Sequence, residues 1–277
     1  NSISSKNLPN LVFVDNTSSE DVVAEYSLLF NNNISIVTCN KKGNSSSYEQ
    51  YSKFKRLAKK NNVSFLYETN VGAGLPIIKT LNDLWISGDE ILKIEAILSG
   101  TISYIFNNYV GDNTFAEVVR TAQELGYTEP DPRDDLNGMD FSRKMLILGR
   151  EIGLPLEMSN VNIKDFLPEA CLKAESIPAF YEELEKHEPY FSSFKNEAEN
   201  SGRKLRLIGV LEDGKINIEV QIVDANHPFF GLSGSDNIIS FTTSRYKNTP
   251  LVVKGPGAGA EVTAAGVFAD LVRVTAQ

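Results

Sequence analysis

Short apolar runs alternate with amphipathic stretches through the first seventy residues. Residues 11–15, 34–38 and 63–67 read as strands. Between them, Val22, Val23, Tyr26, Leu29 and Phe30 recur at helical spacing, as do Tyr48, Tyr51, Phe54 and Leu57. Ser18 with Asp21 predicts the start of the first of these helices. Strands separated by helices imply a parallel sheet built from βαβ units, about half of a Rossmann-like domain.

The middle of the chain has a different rhythm. Ile77, Ile78, Leu81, Leu84 and Trp85 predict a helix, and residues 91–98 an apolar strand. Thr114 and Glu117 form a capping box ahead of Phe115, Val118, Val119, Ala122 and Leu125, with Gly126 at the stop. Residues 205–211 and 216–223 flank Asp213-Gly214, a hairpin signal. Further strands fall at 238–243 and 251–254, and residues 174–202 are charged and helical. Residues 260–274 read as a helix with one apolar face. The expected fold class is α/β: a partial Rossmann-like domain joined to an α+β domain with a mixed sheet.

Length and composition narrow the class. A chain of 277 residues suggests two domains and buries an ample core. Its 42% hydrophobic and 23% charged content is that of an ordinary globular protein. A formal charge of −9 argues against nucleic acid or an anionic membrane as partner. Cys39 and Cys171 are too few for a disulfide framework or a zinc site. No apolar run reaches transmembrane length and no signal peptide is evident, so a cytoplasmic protein is expected, or a plastid one in a plant.

The most informative stretch runs from Glu129 to Lys144, EPDPRDDLNGMDFSRK. It sets five acids and two prolines in sixteen residues, leading into an apolar helix carried on by Met145, Leu146 and Leu148. Proline stiffens the acidic turn. Asp140 and Lys144, four apart, share one helical face. A solvated acidic loop with an ordinary surface ion pair would look the same by spacing alone. This run, however, resembles the active-site signature of homoserine dehydrogenase, in particular the C-terminal half of bifunctional aspartokinase/homoserine dehydrogenases. The likeness spans residues 8–274.

The resemblance implies NAD(P)H-dependent interconversion of L-aspartate 4-semialdehyde and L-homoserine, in threonine and methionine biosynthesis. It assigns Lys144 as the catalytic proton donor, and Glu129 and Asp140 as the carboxylates that bind the substrate ammonium. Asp135 shapes the turn or helps hold the lysine; Asp131, Arg133 and Asp134 either join the site or pack the loop. Lys41, in Thr38-Cys39-Asn40-Lys41-Lys42, reaches cofactor and substrate. Thr17, Gly126 and Gly259 line the cofactor, NADP or NAD, although Thr17 could be a helix cap and Gly126 a helix stop. A sodium ion is implied at Glu68 and at the carbonyls of Val71, Ala73 and Leu75, in a loop that could equally be a glycine hinge. His187 and His227 lack ligand spacing and read as structural. A homodimer is expected, formed through the sheet of the second domain.

No strand, G-x-G-x-x-G turn and helix opens the chain. Gly72-Ala73-Gly74 and Gly255-Pro256-Gly257-Ala258-Gly259 are weak substitutes. Against the family, the sequence is expected to begin near the fourth strand of the nucleotide domain. Its parts would be residues 1–74 and 255–277 for the cofactor, and 75–254 for catalysis and dimerisation. Two rivals share these motifs: an inactive substrate and dimerisation portion of the same family, and a threonine-sensing module.

Overall fold

A computed structural model of the chain describes residues 10–164 and 166–275; Leu8, where the resemblance begins, lies outside them. Three strands, β1 (Val12–Asp15), β2 (Ser35–Thr38) and β3 (Phe65–Leu66), make a parallel sheet in that order. Helices α1 (Glu20–Ala24), α2 (Tyr26–Asn31), α3 (Lys41–Asn44) and α4 (Tyr48–Lys60) join them. Tyr26, Phe30, Phe54 and Phe65 close their core, with ring centroids 5.3–6.5 Å apart. The helix expected to start at Ser18 is capped instead by Ser19, whose Oγ accepts from Val22 N at 3.4 Å. Asp15 causes the shift: its carboxylate takes Thr17 N at 2.8 Å and holds residues 15–17 in a turn. The helix also breaks at Glu25, where the hydrogen bond tightens to Val22 O. That bend lets both Val23 and the Tyr26–Phe30 face reach the core.

The second sheet has six strands: β4 (Ile91–Ile97), β5 (Val161–Ile163), β6 (Lys204–Glu212), β7 (Lys215–Val223), β8 (Asp236–Thr243) and β9 (Leu251–Pro256), ordered β5-β7-β6-β4-β8-β9. All neighbours are antiparallel except β5 and β7, so the sheet is mixed. Asp213 and Gly214, with φ of 50° and 71°, turn the β6–β7 hairpin and pair Glu212 with Lys215. Helices α6 (Gly100–Asn108), α9 (Met139–Glu151) and α12 (Glu188–Asn200) lie against this sheet, and α5 (Ile78–Ile86), α7 (Phe115–Glu124), α8 (Arg133–Leu136), α10 (Glu169–Leu172) and α11 (Ile177–Lys186) pack on them or on one another. The Thr114–Glu117 capping box is formed in both directions. Helix α6 has no counterpart in the sequence pattern. Its Ile, Tyr and Phe favour strands, and it is helical because Ser99 caps it and Ile102, Ile105 and Phe106 are buried on one side.

The last helix, α13 (Ala260–Thr275), returns to pack on β2 and on the turn at Glu68–Asn70. Val262, Val267, Leu271 and Val274 are half-buried along it. Gly266 and Asp270 face inward, while Phe268 and Val272 stay exposed. Polar and steric contacts decide this: Asp270 Oδ2 accepts from Glu68 N at 2.8 Å, and Gly266 touches the Thr69–Gly74 turn. A Cβ on Gly266 would sit 2.5 Å from Thr69 Cγ2 and 3.1 Å from Gly74 Cα. Alanine normally stabilises a helix interior, but here the clash wins. Gly266→Ala should destabilise the protein by about 1–3 kcal/mol in urea unfolding. A stabilised variant would show that α13 packs otherwise.

Candidate active site

The acidic turn and α9 build one wall of a cleft. Gly138, with φ of +72°, turns the chain into α9, and Asn137 Oδ1 accepts from Met139 N at 2.8 Å. One turn later Asp140 and Lys144 meet as an i,i+4 pair at 2.7 Å. Lys144 is buried, and its Nζ also donates to Leu98 O, at the end of β4, at 2.6 Å. The other oxygen of Asp140 faces Lys41 Nζ at 3.4 Å. Lys41 is held at the N-terminus of α3, where Asn40 caps the chain through Lys42 N. One carboxylate therefore bridges two lysines carried by two different sheet layers.

Asp135 shapes the turn and does not bond the lysine. It accepts from Glu129 N at 2.8 Å, and its other oxygen lies 3.0 Å from Thr101 Oγ1. Arg133 binds Asp131 (Nε to Oδ1, 2.8 Å) and the carbonyl of Ala174, so this pair packs the loop. Asp134 instead joins Glu129, Asp135, Asp140, Lys41 and Lys144 in the wall of the cleft, whose volume is about 420 Å³.

Across it stand Thr69 and the Gly257–Gly259 loop that leads into α13, with Thr263 one turn along. Neither Thr69 nor Thr263 is among the site residues expected from the sequence. Thr69 follows a strand end, as ligand residues of α/β sheets do, but its buried Oγ1, unpartnered among the described residues, is visible only in the fold. Thr17 and Gly126 are not in the cleft wall. Thr17 Oγ1 accepts from Ser19 N at 3.1 Å, and Gly126, at φ +75°, stops α7.

The pair at the centre is electrostatically uneven. Burial pushes the Asp140 carboxyl up, but Lys144 and Lys41 outweigh it and hold the pKa at about 2. Burial pushes the Lys144 ammonium down, Lys41 adds to this, and Asp140 opposes both. The net effect lowers the Lys144 pKa, making it a better acid than a free lysine. Asp135 is raised, by burial first and then by Glu129 and Asp140.

The glycine loop has a different task. Glu68 accepts from Ile78 N at 2.7 Å and Lys79 N at 3.0 Å, and faces Arg273 at 3.5 Å. It thus caps α5 and ties α13 to it, and burial raises its pKa. Gly74 comes so close to α13 that a Cβ would lie 2.4 Å from Val262 O.

The homoserine dehydrogenase family model matches residues 76–272. The chain is 44% identical over 274 residues to homoserine dehydrogenase of Schizosaccharomyces pombe, covering 96% of this chain and 73% of that protein. The chain belongs to the homoserine dehydrogenase family. The chloroplastic bifunctional aspartokinase/homoserine dehydrogenase 2 of Arabidopsis thaliana is 47% identical over 269 residues, 96% of this chain but 29% of that protein. The chain thus spans under a third of the bifunctional plant relatives it matches. Among solved structures, a Candida auris protein of unknown function shares 39% identity at a TM-score of 0.92, covering 97% of this chain and 77% of that one. A hyperthermophilic archaeal homoserine dehydrogenase in complex with NADPH shares 25% at a TM-score of 0.74, covering 96% and 71%. Family members are NAD(P)-dependent oxidoreductases with Rossmann-like and catalytic domains, matching the two sheets seen here.

Proposed function

We propose that this chain interconverts L-aspartate 4-semialdehyde and L-homoserine with NADPH or NADH, within threonine and methionine biosynthesis. One observation carries the reading: a buried ammonium, Lys144, is held between Asp140 and Leu98 O in the wall of a cleft rich in carboxylates. Both substrates bear an α-ammonium group, for which Glu129 and Asp140 are the partners, with Asp135 setting the position of Glu129. Lys144 donates the proton to the alkoxide that forms at the reduced carbon, and takes it back in the reverse direction. Lys41 neutralises Asp140 from the other side, leaving the ammonium more acidic.

The residues present fit a dinucleotide on the α13 side of the cleft. Thr69 Oγ1 is buried there without a partner among the described residues, and Gly257 and Gly259 leave backbone bare before a helix N-terminus. When bound, the cofactor supplies the hydride. Lys41, Gly259, Thr69 and Thr263 would hold it in the cleft; Thr17 and Gly126 belong to the proposed set at its edges. A sodium ion fits less well, since the Glu68 carboxylate is already taken by helix amides. No step here runs through it.

We take residues 1–74 with 255–277 as the cofactor part and 75–254 as the catalytic and dimerisation part, in a homodimer. No helix among the described residues is long and apolar enough to cross a membrane, and both cysteines are free. Plant relatives are named chloroplastic; we propose the cytoplasm for this chain, or the plastid in a plant.

Following NADPH at 340 nm with aspartate semialdehyde tests the reading, and pH sharpens it. Reduction needs Lys144 charged, so its rate should fall as pH rises through a pKa that burial sets below 10.5. Homoserine oxidation needs the neutral amine and should rise over the same window. A folded protein without turnover, or two profiles moving together, would sink the proposal.

A further inference from the structure

Asp15 ends β1 with 1% of its surface exposed and lines no part of the cleft. Three neutral donors meet its carboxylate: Thr17 N at 2.8 Å, Asn40 Nδ2 at 3.1 Å and the Tyr26 hydroxyl. Burial pushes the Asp15 carboxyl up, but Tyr26, Thr17 and Asn40 outweigh it, and the lowered pKa leaves an anion at neutral pH. A buried charge answered only by neutral groups is a costly way to fill a core. Its hydrogen bonds therefore invite the question of what they hold.

They lead to Asn40. Thr38 Oγ1 donates to Asp15 O at 3.1 Å and accepts from Asn40 N at 2.9 Å, so the ends of β1 and β2 are joined at this residue. Asn40 Nδ2 reaches Ser19 O at 2.9 Å as well as Asp15, which leaves Oδ1 to accept from Lys42 N at 3.1 Å. The carboxylate thus decides which way the Asn40 amide faces. Turned over, the amide would present a donor to Lys42 N, and the cap of α3 would be lost. Helix α3 has only four residues, of which Lys41 is the first. So short a helix gains little from its own hydrogen bonds, and its cap carries the placement of Lys41.

We infer that Asp15 is a positioning residue: through Asn40 it holds Lys41 against Asp140, and so governs the proton donor Lys144 from behind the cleft. The inference rests on the roles proposed above for Lys41 and Lys144. The charged groups facing Lys144 are Asp140 on its own helix, Lys41 from α3 and Asp135 from α8. Lys41 lowers the Lys144 pKa, whereas the two acids raise it. Loosening Lys41 leaves the acids, so Asp15→Ala should raise the Lys144 titration midpoint by roughly half to one pH unit, the scale of one partly screened like charge.

NMR of the full chain carrying 13C-labelled lysine, with Lys144 assigned by Lys144→Arg, reads that midpoint without any need for turnover. Homoserine oxidation near neutral pH uses the neutral amine, and its kcat should fall roughly three- to tenfold, the same shift read as a neutral fraction. Asn40→Ala removes the contact from the other side, should give the same rise, and decides the case if Asp15→Ala does not fold. Tyr26→Phe takes a different donor from Asp15 and should leave the midpoint in place. In a Lys41→Ala background, Asp15→Ala should add no further shift. A midpoint unmoved in Asp15→Ala or Asn40→Ala, an equal rise in Tyr26→Phe, or a further rise beyond Lys41→Ala would overturn the inference. A chain without turnover whose Lys144 still answers to Asp15 would fault the reaction proposed above and support this route.

Discussion

Lys144→Ala is expected to lower kcat for aspartate semialdehyde reduction by roughly 10²–10⁴-fold, the usual contribution of a positioned general acid. The amine is the group the cleft offers in a position to protonate an alkoxide: it is buried, oriented by Leu98 O, and made more acidic by burial and by Lys41. Glu129 and Asp140 stay in place in the variant, and Lys41 still answers Asp140, so KM should change far less than kcat. Lys144→Arg should not rescue the rate, because a guanidinium does not give up its proton near neutral pH. Steady-state kinetics with circular dichroism as a folding control decide the matter. Activity retained within tenfold would remove Lys144 from the chemistry.

Glu151→Ala should carry the largest cost in stability, about 3 kcal/mol, the scale for breaking a buried, hydrogen-bonded charge. The Glu151 side chain is 1% exposed at the far end of the helix that carries Asp140 and Lys144. It accepts from the Tyr67 hydroxyl, from Tyr51 at 3.1 Å and from Asn82 Nδ2 at 3.0 Å, and faces Lys55 at 3.5 Å. Alanine would take their shared acceptor from the buried Tyr51 and Tyr67 hydroxyls, whereas the half-exposed Lys55 can turn to water. These partners come from α4, the end of β3 and α5, so one carboxylate joins α9 to the parallel-sheet layer. Arg150 reinforces the joint by donating to Asn44 O at 2.8 Å, at the end of the helix that begins with Lys41. Loosening α9 should therefore also reduce kcat. Glu151→Gln, which keeps two polar contacts, should lose about half as much. Urea midpoints compared at constant slope measure both, and a loss under 1 kcal/mol for alanine would show that the network is not a joint.

What could be read along the chain was local. Asp140 and Lys144 meet because helical periodicity places residues four apart on one face. The β6–β7 hairpin forms because Asp213 and Gly214 accept positive φ, and α7 starts at Thr114 because its hydroxyl and Glu117 satisfy each other's backbone donors. Family likeness added the roles of Glu129 and Lys41, whose neighbours in the cleft the fold supplies. Only the tertiary structure decided the rest. It brought Lys41 to Asp140 and the Gly257–Gly259 loop to Lys144, across long sequence separations that no periodicity encodes. It made α6 a helix against its strand-like composition, since burial outweighs intrinsic preference. It turned Gly266 and Asp270 of α13 inward, spent Glu68 on helix amides, and left Thr17 and Gly126 outside the cleft wall. Turns, caps and helical periodicity are set by neighbours in sequence; burial, close approach and the electrostatics of a shared cleft are set by neighbours in space.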